Sequence, residues 1–395
     1  MSTSNDTTVL QRSPQPGGKK RKNSLTAGQM PSWAWAAVLA GALVVAAGVT
    51  ALLGAGSFSW VGWLVITAVF YVLGMYLTTR VIENKRRATD GFWRNLVWAA
   101  FILALIPLVS VIWSVLANGL PTLLETPQLL WRDMRGVTGA DDIATQQEGA
   151  PLAGGFLHGL VGTLMITLLA TIISVPIGLL ASIFLVEYGR GGWFSRAIVF
   201  FVDVMTGIPS IVAGLFAFAA VQLFITTFVG DGPRQLQMVK MGLSAAIALS
   251  VLMIPVVVRS TEEMLRVVPN ELREASYALG VRKWRTIFKV VLPTAMSGIA
   301  SGVTLAIARV TGETAPILVT AGYIATTNWN PFDGWMTALP VYIYRQLVNP
   351  TGPAAPLPSA DRAWAAALVL IAIVMLLNLL ARIIAKAFAP KKTGR

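Results

Sequence analysis

Long apolar runs alternate with short polar stretches along this chain. Eight runs, at about 33–54, 59–78, 96–116, 162–186, 198–228, 241–258, 296–321 and 363–385, are long enough to cross a membrane. A hydrocarbon core about 30 Å thick needs roughly 20 apolar residues per helix, so the pattern predicts an all-α polytopic membrane protein. The first two spans form a hairpin through the short turn GAGSFS at 54–59. Two runs carry interruptions. Gly207 and Pro209 in DVMTGIPSIVAG (203–214) should break or kink one span, and Pro316 in ARVTGETAPILVTAG (308–322) breaks the ladder of another. Transport pathways often sit at such broken helices. The segment 323–362, with NWNPFDGWMTALPVYIYRQL, is aromatic and half apolar, too short and polar to span, and reads as re-entrant or interfacial.

Composition agrees, with 395 residues that are 55% hydrophobic and 12% charged at a mean hydropathy of +0.68. That is too apolar for a soluble chain of this length. Without cysteine there is no disulfide framework and no thiolate metal site. The single histidine, His158, falls in a predicted loop with no ligand partners, and the acids of DDIATQQE (141–148) fit no metal spacing. The stretch 117–161 reads as a solvated loop.

The net charge of +13 raises nucleic-acid binding, but its placement points elsewhere. With the N-terminus placed in the cytoplasm, the cytoplasmic segments hold 24 of the 31 Lys and Arg, the outside segments six, and Arg309 lies within the membrane. The positive-inside rule selects this orientation, with both termini cytoplasmic. Residues 1–32 read as a disordered cytoplasmic tail whose basic run Lys19–Lys22 anchors at anionic lipid.

The cytoplasmic segment 259–293, RSTEEMLRVVPNELREASYALGVRKWRTIFKVVLP, is far longer than a turn between spans requires. Pro269 and Asn270 suit a helix entry, Glu271 and Glu274 suit its dipole, and Gly280 suits its end. The spacing predicts a short helix over about 270–279, then an amphipathic stretch 281–291 returning to the membrane at Pro293. Small side chains at Ala275, Ser276 and Ala278 would let a partner approach the backbone. The segment resembles the EAA loop of ABC importer permeases: Glu274-Ala275-Ser276, three residues, Gly280, nine residues, Val290, one residue, then Leu292-Pro293. Ser276 and Val290 are its departures. In that family the short helix seats in an ATPase subunit, and Glu271, Glu274, Ala275, Ser276 and Gly280 are the implied coupling residues. No G-x-x-x-x-G-K-[ST] phosphate loop occurs in this sequence, so the resemblance implies a separate ATPase that uses ATP and magnesium.

Arg309 and Glu313 stand one helical turn apart in the seventh run. A charge at mid-bilayer costs about 2.5–3.5 kcal/mol on insertion scales and generally lines an interior path. Either the two residues neutralise each other as a packing device, or the Arg309 guanidinium offers its fork of donors to a crossing oxyanion while Glu313 holds and gates it. Thr311 and Thr314 add hydroxyl donors, Gly312 admits close approach, and Ser210 lies just past the other break. Gly298 and Gly302 form a small-xxx-small pair suited to close helix packing.

Three segments, GIPSIVAGLF (207–216), ARVTGETAPILVTAG and MTALPVYIY (336–344), are similar to those of the PstA-type permeases of phosphate-specific ABC importers. The resemblance covers roughly 96–390 and implies a six-span type I importer permease domain with its coupling loop at 259–293. Residues 33–95 are a two-span extension outside that pattern. It further implies a bacterial plasma-membrane protein that pairs with a PstC-type permease, two PstB-type ATPases and a PstS-type phosphate-binding protein. No metal, cofactor or nucleic acid is expected on this chain itself. Phosphate rests on the resemblance alone, since the residues indicate only an oxyanion. Permeases for sulfate, molybdate or phosphonate, an ion-coupled secondary transporter using Glu313, and a non-transporting scaffold or sensor are the competing readings.

Overall fold

The computed structural model describes residues 30–53, 59–189 and 191–387, all helix, turn or irregular chain with no strand among them. The tail before residue 30, most of the 54–59 turn and the last eight residues lie outside the described residues. Among the described residues eight helices are long and apolar enough to cross a membrane, one in each of the eight runs.

The described residues divide into two compact units, with the boundary between Ile112 and Trp113. The first contains α1 (Ala34–Leu53), α2 (Trp60–Ile82) and the start of α3 (Lys85–Glu125). Ser59 opens α2 by accepting the Gly62 N–H at 3.1 Å. The α1–α2 hairpin closes where Gly74 meets Val38 and where Trp63 Nε1 donates to the Leu43 carbonyl at 3.0 Å. Helix α3 runs without interruption through position 95, where the permease domain was expected to begin.

The second unit contains the end of α3 and α4 (Gly139–Glu148), α5 (Leu157–Ile183), α6 (Trp193–Thr206), α7 (Ser210–Phe228), α8 (Pro233–Gln237), α9 (Gly242–Val267), α10 (Asn270–Ala278), α11 (Lys283–Thr286), α12 (Leu292–Thr311), α13 (Ala315–Thr320), α14 (Leu339–Val348) and α15 (Leu357–Ala387). Its core lies where α5, α9, α12 and α13 meet, around Ile166, Leu249, Met253, Val257, Val310 and Ile317. Small residues set these approaches. Gly178 of α5 faces Val257 of α9, and Ser182 donates to the Val258 carbonyl at 3.0 Å. The expected Gly298–Gly302 pair does bring helices together, since Gly298 receives Met264 and Gly302 receives Ser260, both from α9.

Several expectations need correction. The run 296–321 is not one helix: α12 stops at Thr311 and α13 starts at Ala315. The run 198–228 separates into α6 and α7 at Gly207–Pro209, as the glycine and proline predict. The stretch 117–161 is more than a solvated loop. It contains α4, closed at its start by Thr138 and Asp141, and Asp142 is fully buried against Arg362. His158 begins α5 instead of lying in a loop, and it is buried edge-on to Tyr342 at 5.1 Å. The segment after α13 folds into the protein, where Thr337 Oγ1 bonds both backbone groups of Ile324 at 2.7 and 2.8 Å. The Leu339 N–H then donates to Thr163 Oγ1 at 2.8 Å, docking α14 on α5.

Candidate functional site

The helices that follow the two interruptions, α7 and α13, pack against each other. Gly214 of α7 lies against Pro316 of α13, where an added Cβ would sit 2.7 Å from the Pro316 Cα. Ser210 is one turn before Gly214 on the same face of α7 and is half-buried. Gly214→Ala is therefore expected to push α7 off α13 and cost a few kcal/mol of stability, on the scale of overpacking. An unchanged melting temperature for this variant would show that the two breaks do not depend on this contact.

Arg309 occupies the last turn of α12, where a cation complements the helix dipole. It lies roughly 24 Å along the helix from Pro293, at 1.5 Å per residue. It is exposed, and among the described residues it has no ion pair or hydrogen bond. The i, i+4 pairing with Glu313 fails because the helix ends first. Gly312 leaves the helical path, and the Glu313 N–H turns back to the Val310 carbonyl at 3.2 Å. Glu313 and Thr314 are half-buried in this break. Thr311 is not a free donor: it is buried, and its hydroxyl donates to the Ile307 carbonyl at 2.7 Å. Of the five residues expected to meet an anion, Arg309, Glu313 and Thr314 flank the break between α12 and α13, Ser210 opens α7 after the other break, and Thr311 bonds back into its own helix.

At the other end of the bundle, α10 forms as the spacing predicts, from Asn270 to Ala278. Gly280 follows it at φ +74°, a left-handed conformation that costs an L side chain about 1–2 kcal/mol. Glu271 lies in the first turn of α10, and Glu274 falls one turn later. Glu271, Glu274, Ala275 and Ala278 are exposed, so they form an open face. Ser276 does not belong to that face. It is buried, with its hydroxyl 2.8 Å from that of Thr286 on α11, and it pins the two short helices together. Gly280→Val should tilt α10 and weaken binding of an ATPase, read as loss of its co-purification with normally inserted permease.

Sequence reasoning missed three polar contacts. Arg273 of α10 reaches Glu187 at the end of α5, at 2.9 and 3.0 Å. Arg259 pairs with Asp203 of α6 and with Glu262, joining α6 to α9. Arg362 grips Asp142 through both guanidinium nitrogens at 2.8 Å each. Glu187 and Asp203 stand out in the sequence as acids within apolar runs, but that signal does not name their partners, and Asp142 and Arg273 lie among other polar residues.

Asp133 holds the segment before α4 to the chain after α13, accepting the Thr327 N–H at 3.0 Å and the Thr327 hydroxyl at 3.1 Å. Burial alone would raise its carboxyl, but the Thr327 and Arg135 N–H groups and the Thr327 hydroxyl outweigh that and hold it below the ordinary range. A depressed carboxyl stabilises above its unfolded value and loses that contribution as pH falls through the folded one. The stability gap between wild type and Asp133→Asn should therefore stay level from pH 7 to 5 and shrink below about pH 4.

The family described as binding-protein-dependent transport system inner membrane component matches residues 174–394. The phosphate transport system permease protein PstA 1 of Mycobacterium tuberculosis is 44% identical over 306 residues, 77% of this chain and 91% of that protein. The phosphate transport system permease protein PstA of Mycobacterium leprae is 43% identical over 302 residues, 76% of this chain and 90% of that protein. A solved chain of the inward-facing MetNI methionine ABC transporter aligns at TM-score 0.46 and 19% identity, over 60% of this chain and 96% of that one. Partners that hydrolyse ATP and capture substrate follow from membership of such a family. The chain belongs to the binding-protein-dependent inner-membrane components of ABC importers, as a multi-pass PstA-type permease subunit whose ATP is hydrolysed by a separate ATPase.

Proposed function

We propose that this chain is one of two permease subunits of an importer that moves inorganic phosphate across the bacterial plasma membrane by alternating access. The observation that carries the substrate is the 44% identity, over nine-tenths of its length, to a protein named as a phosphate transport permease. The unpaired Arg309, in the last turn of α12 before the break that separates it from α13, supports it chemically. A guanidinium presents planar donors that fit a tetrahedral oxyanion, and a charge on an exposed face of a membrane helix belongs beside a polar path or a partner.

The other parts are a PstC-type permease, two PstB-type ATPases that bind ATP and magnesium, and a PstS-type phosphate-binding protein. Both termini face the cytoplasm, as the basic loops favour. ATP binding draws the ATPases together, α10 moves with them, and the spans rock so that Arg309 opens to one side and then the other.

Vesicles holding the co-expressed complex should accumulate labelled phosphate with ATP and not without it. Uptake that sulfate, molybdate or phosphonate suppresses as well as phosphate does would reassign the substrate. Uptake that follows an ion gradient in place of ATP would replace the importer with a secondary transporter.

A further inference from the structure

The end of the bundle that carries α10 is organised around one guanidinium. Arg273 leaves α10 on the side opposite its open face, and its side chain is only 12% exposed. It donates through Nε and Nη2 to Glu187 Oε1 at 3.0 and 2.9 Å, through Nη1 to the Val268 carbonyl at 2.7 Å, and through Nη2 to the Leu265 carbonyl at 3.0 Å. Leu265 lies in the last turn of α9 and Val268 just follows it, so one side chain ties α5, α9 and α10 together.

Glu187 reaches this position because α5 runs on past Ile183 into a π-helical turn, Phe184–Tyr188, here counted with its inner end. Such a widened turn re-aims side chains relative to a regular helix. Glu187 is buried, and its backbone is held from a second side: Lys283 of α11 donates to the Glu187 carbonyl and lies 4.7 Å over the Tyr188 ring. A planar guanidinium can serve the carboxylate and two carbonyls at once, which a single-point ammonium cannot.

The geometry points to Arg273 and Glu187 as a latch that makes α10 and the inner end of α5 one rigid lever, so that displacement of α10 is delivered to α5. This rests on the reading of α10 as the helix that receives force from the ATPase. Arg273 is a positioning residue. It touches neither substrate nor the open face of α10, and it acts by fixing the direction of the push. From α5 the displacement passes to α9 through the Ser182–Val258 bond and the Gly178–Val257 contact. Without the latch α10 stays in its seat on the ATPase and swings on its flanking turns, and ATP is spent without moving the spans.

The test uses the assembled complex in vesicles, with phosphate uptake per ATP hydrolysed as the readout, because this ratio does not depend on how much complex survives. Arg273→Gln and Glu187→Gln should each lower the ratio about tenfold or more while ATPase subunits still co-purify. The double variant should be no worse than the weaker single one, since two residues acting through one bond do not add. Hydrogen exchange of the 270–278 amides should quicken in both. If Arg273→Gln fails to assemble, Glu187→Gln carries both measurements, since its neutral amide keeps the size of the carboxylate. A wild-type ratio in the single variants, or losses that multiply in the double one, overturns the latch. A wild-type complex that shows no ATP-driven phosphate uptake overturns instead the reading on which it stands.

Discussion

Arg309→Gln is expected to leave the complex assembled and stop phosphate uptake. The guanidinium of Arg309 has no carboxylate partner among the described residues and makes no hydrogen bond that would be lost. Glutamine is a good helix former, so the last turn of α12 should survive the change. What disappears is a fork of charge-assisted donors. Two such bonds at about 1.5 kcal/mol each amount to roughly 3 kcal/mol, or about a hundredfold in uptake at 1.4 kcal/mol per decade. Arg309→Lys keeps the charge and loses the fork, and should fall between the two. Normal phosphate accumulation by the glutamine variant removes Arg309 from the path. A glutamine variant that fails to assemble makes it a packing residue.

The second large effect belongs to Asp142→Asn, at the opposite end from α10. Asp142 and Arg362 are both fully buried, and the carboxylate takes both terminal guanidinium nitrogens, which also donate to the Ala153 carbonyl and to Ser359. Removing one partner of such a pair leaves a buried charge uncompensated and costs about 3–5 kcal/mol. That corresponds to a fall in melting temperature on the order of 10 °C for a unit of this size. Replacing both residues together with apolar side chains of similar volume should recover much of the loss, because no lone charge remains. The Arg87–Glu83 pair is the control, with Arg87 55% and Glu83 13% exposed and the two side chains 3.4 Å apart. Surface pairs of this kind contribute about 1 kcal/mol or less. Equal effects at the two sites would mean that the Asp142–Arg362 pair is hydrated in the working complex.

How far the sequence carried can be seen at particular residues. Span number and position followed from apolar run length, because the bilayer imposes that length whatever the tertiary packing. Helix α10 was legible through Pro269 and Gly280, since both act through their own backbone geometry. Ser276 was misplaced because residues of like size look alike in sequence, and only packing against Thr286 reveals which side of α10 is closed. The Arg309–Glu313 pair was expected from spacing that presumes an unbroken helix. Gly312 ends α12 between them, so the regular period no longer applies. Asp142–Arg362 and Glu187–Arg273 join residues far apart in the chain, and apolar periodicity contains no record of which charges meet.

The notches at Gly298 and Gly302 limit the kinds of movement open to this subunit. Met264 and Ser260 project into them from α9, much as teeth mesh with a rack. Sliding α12 along α9 by a single residue, about 1.5 Å, would drive those side chains against a neighbour that bears a Cβ. The seam therefore resists translation yet permits tilting about the contact. A pair of reporter labels across it should record a change in angle during the transport cycle, at nearly constant separation near the glycines.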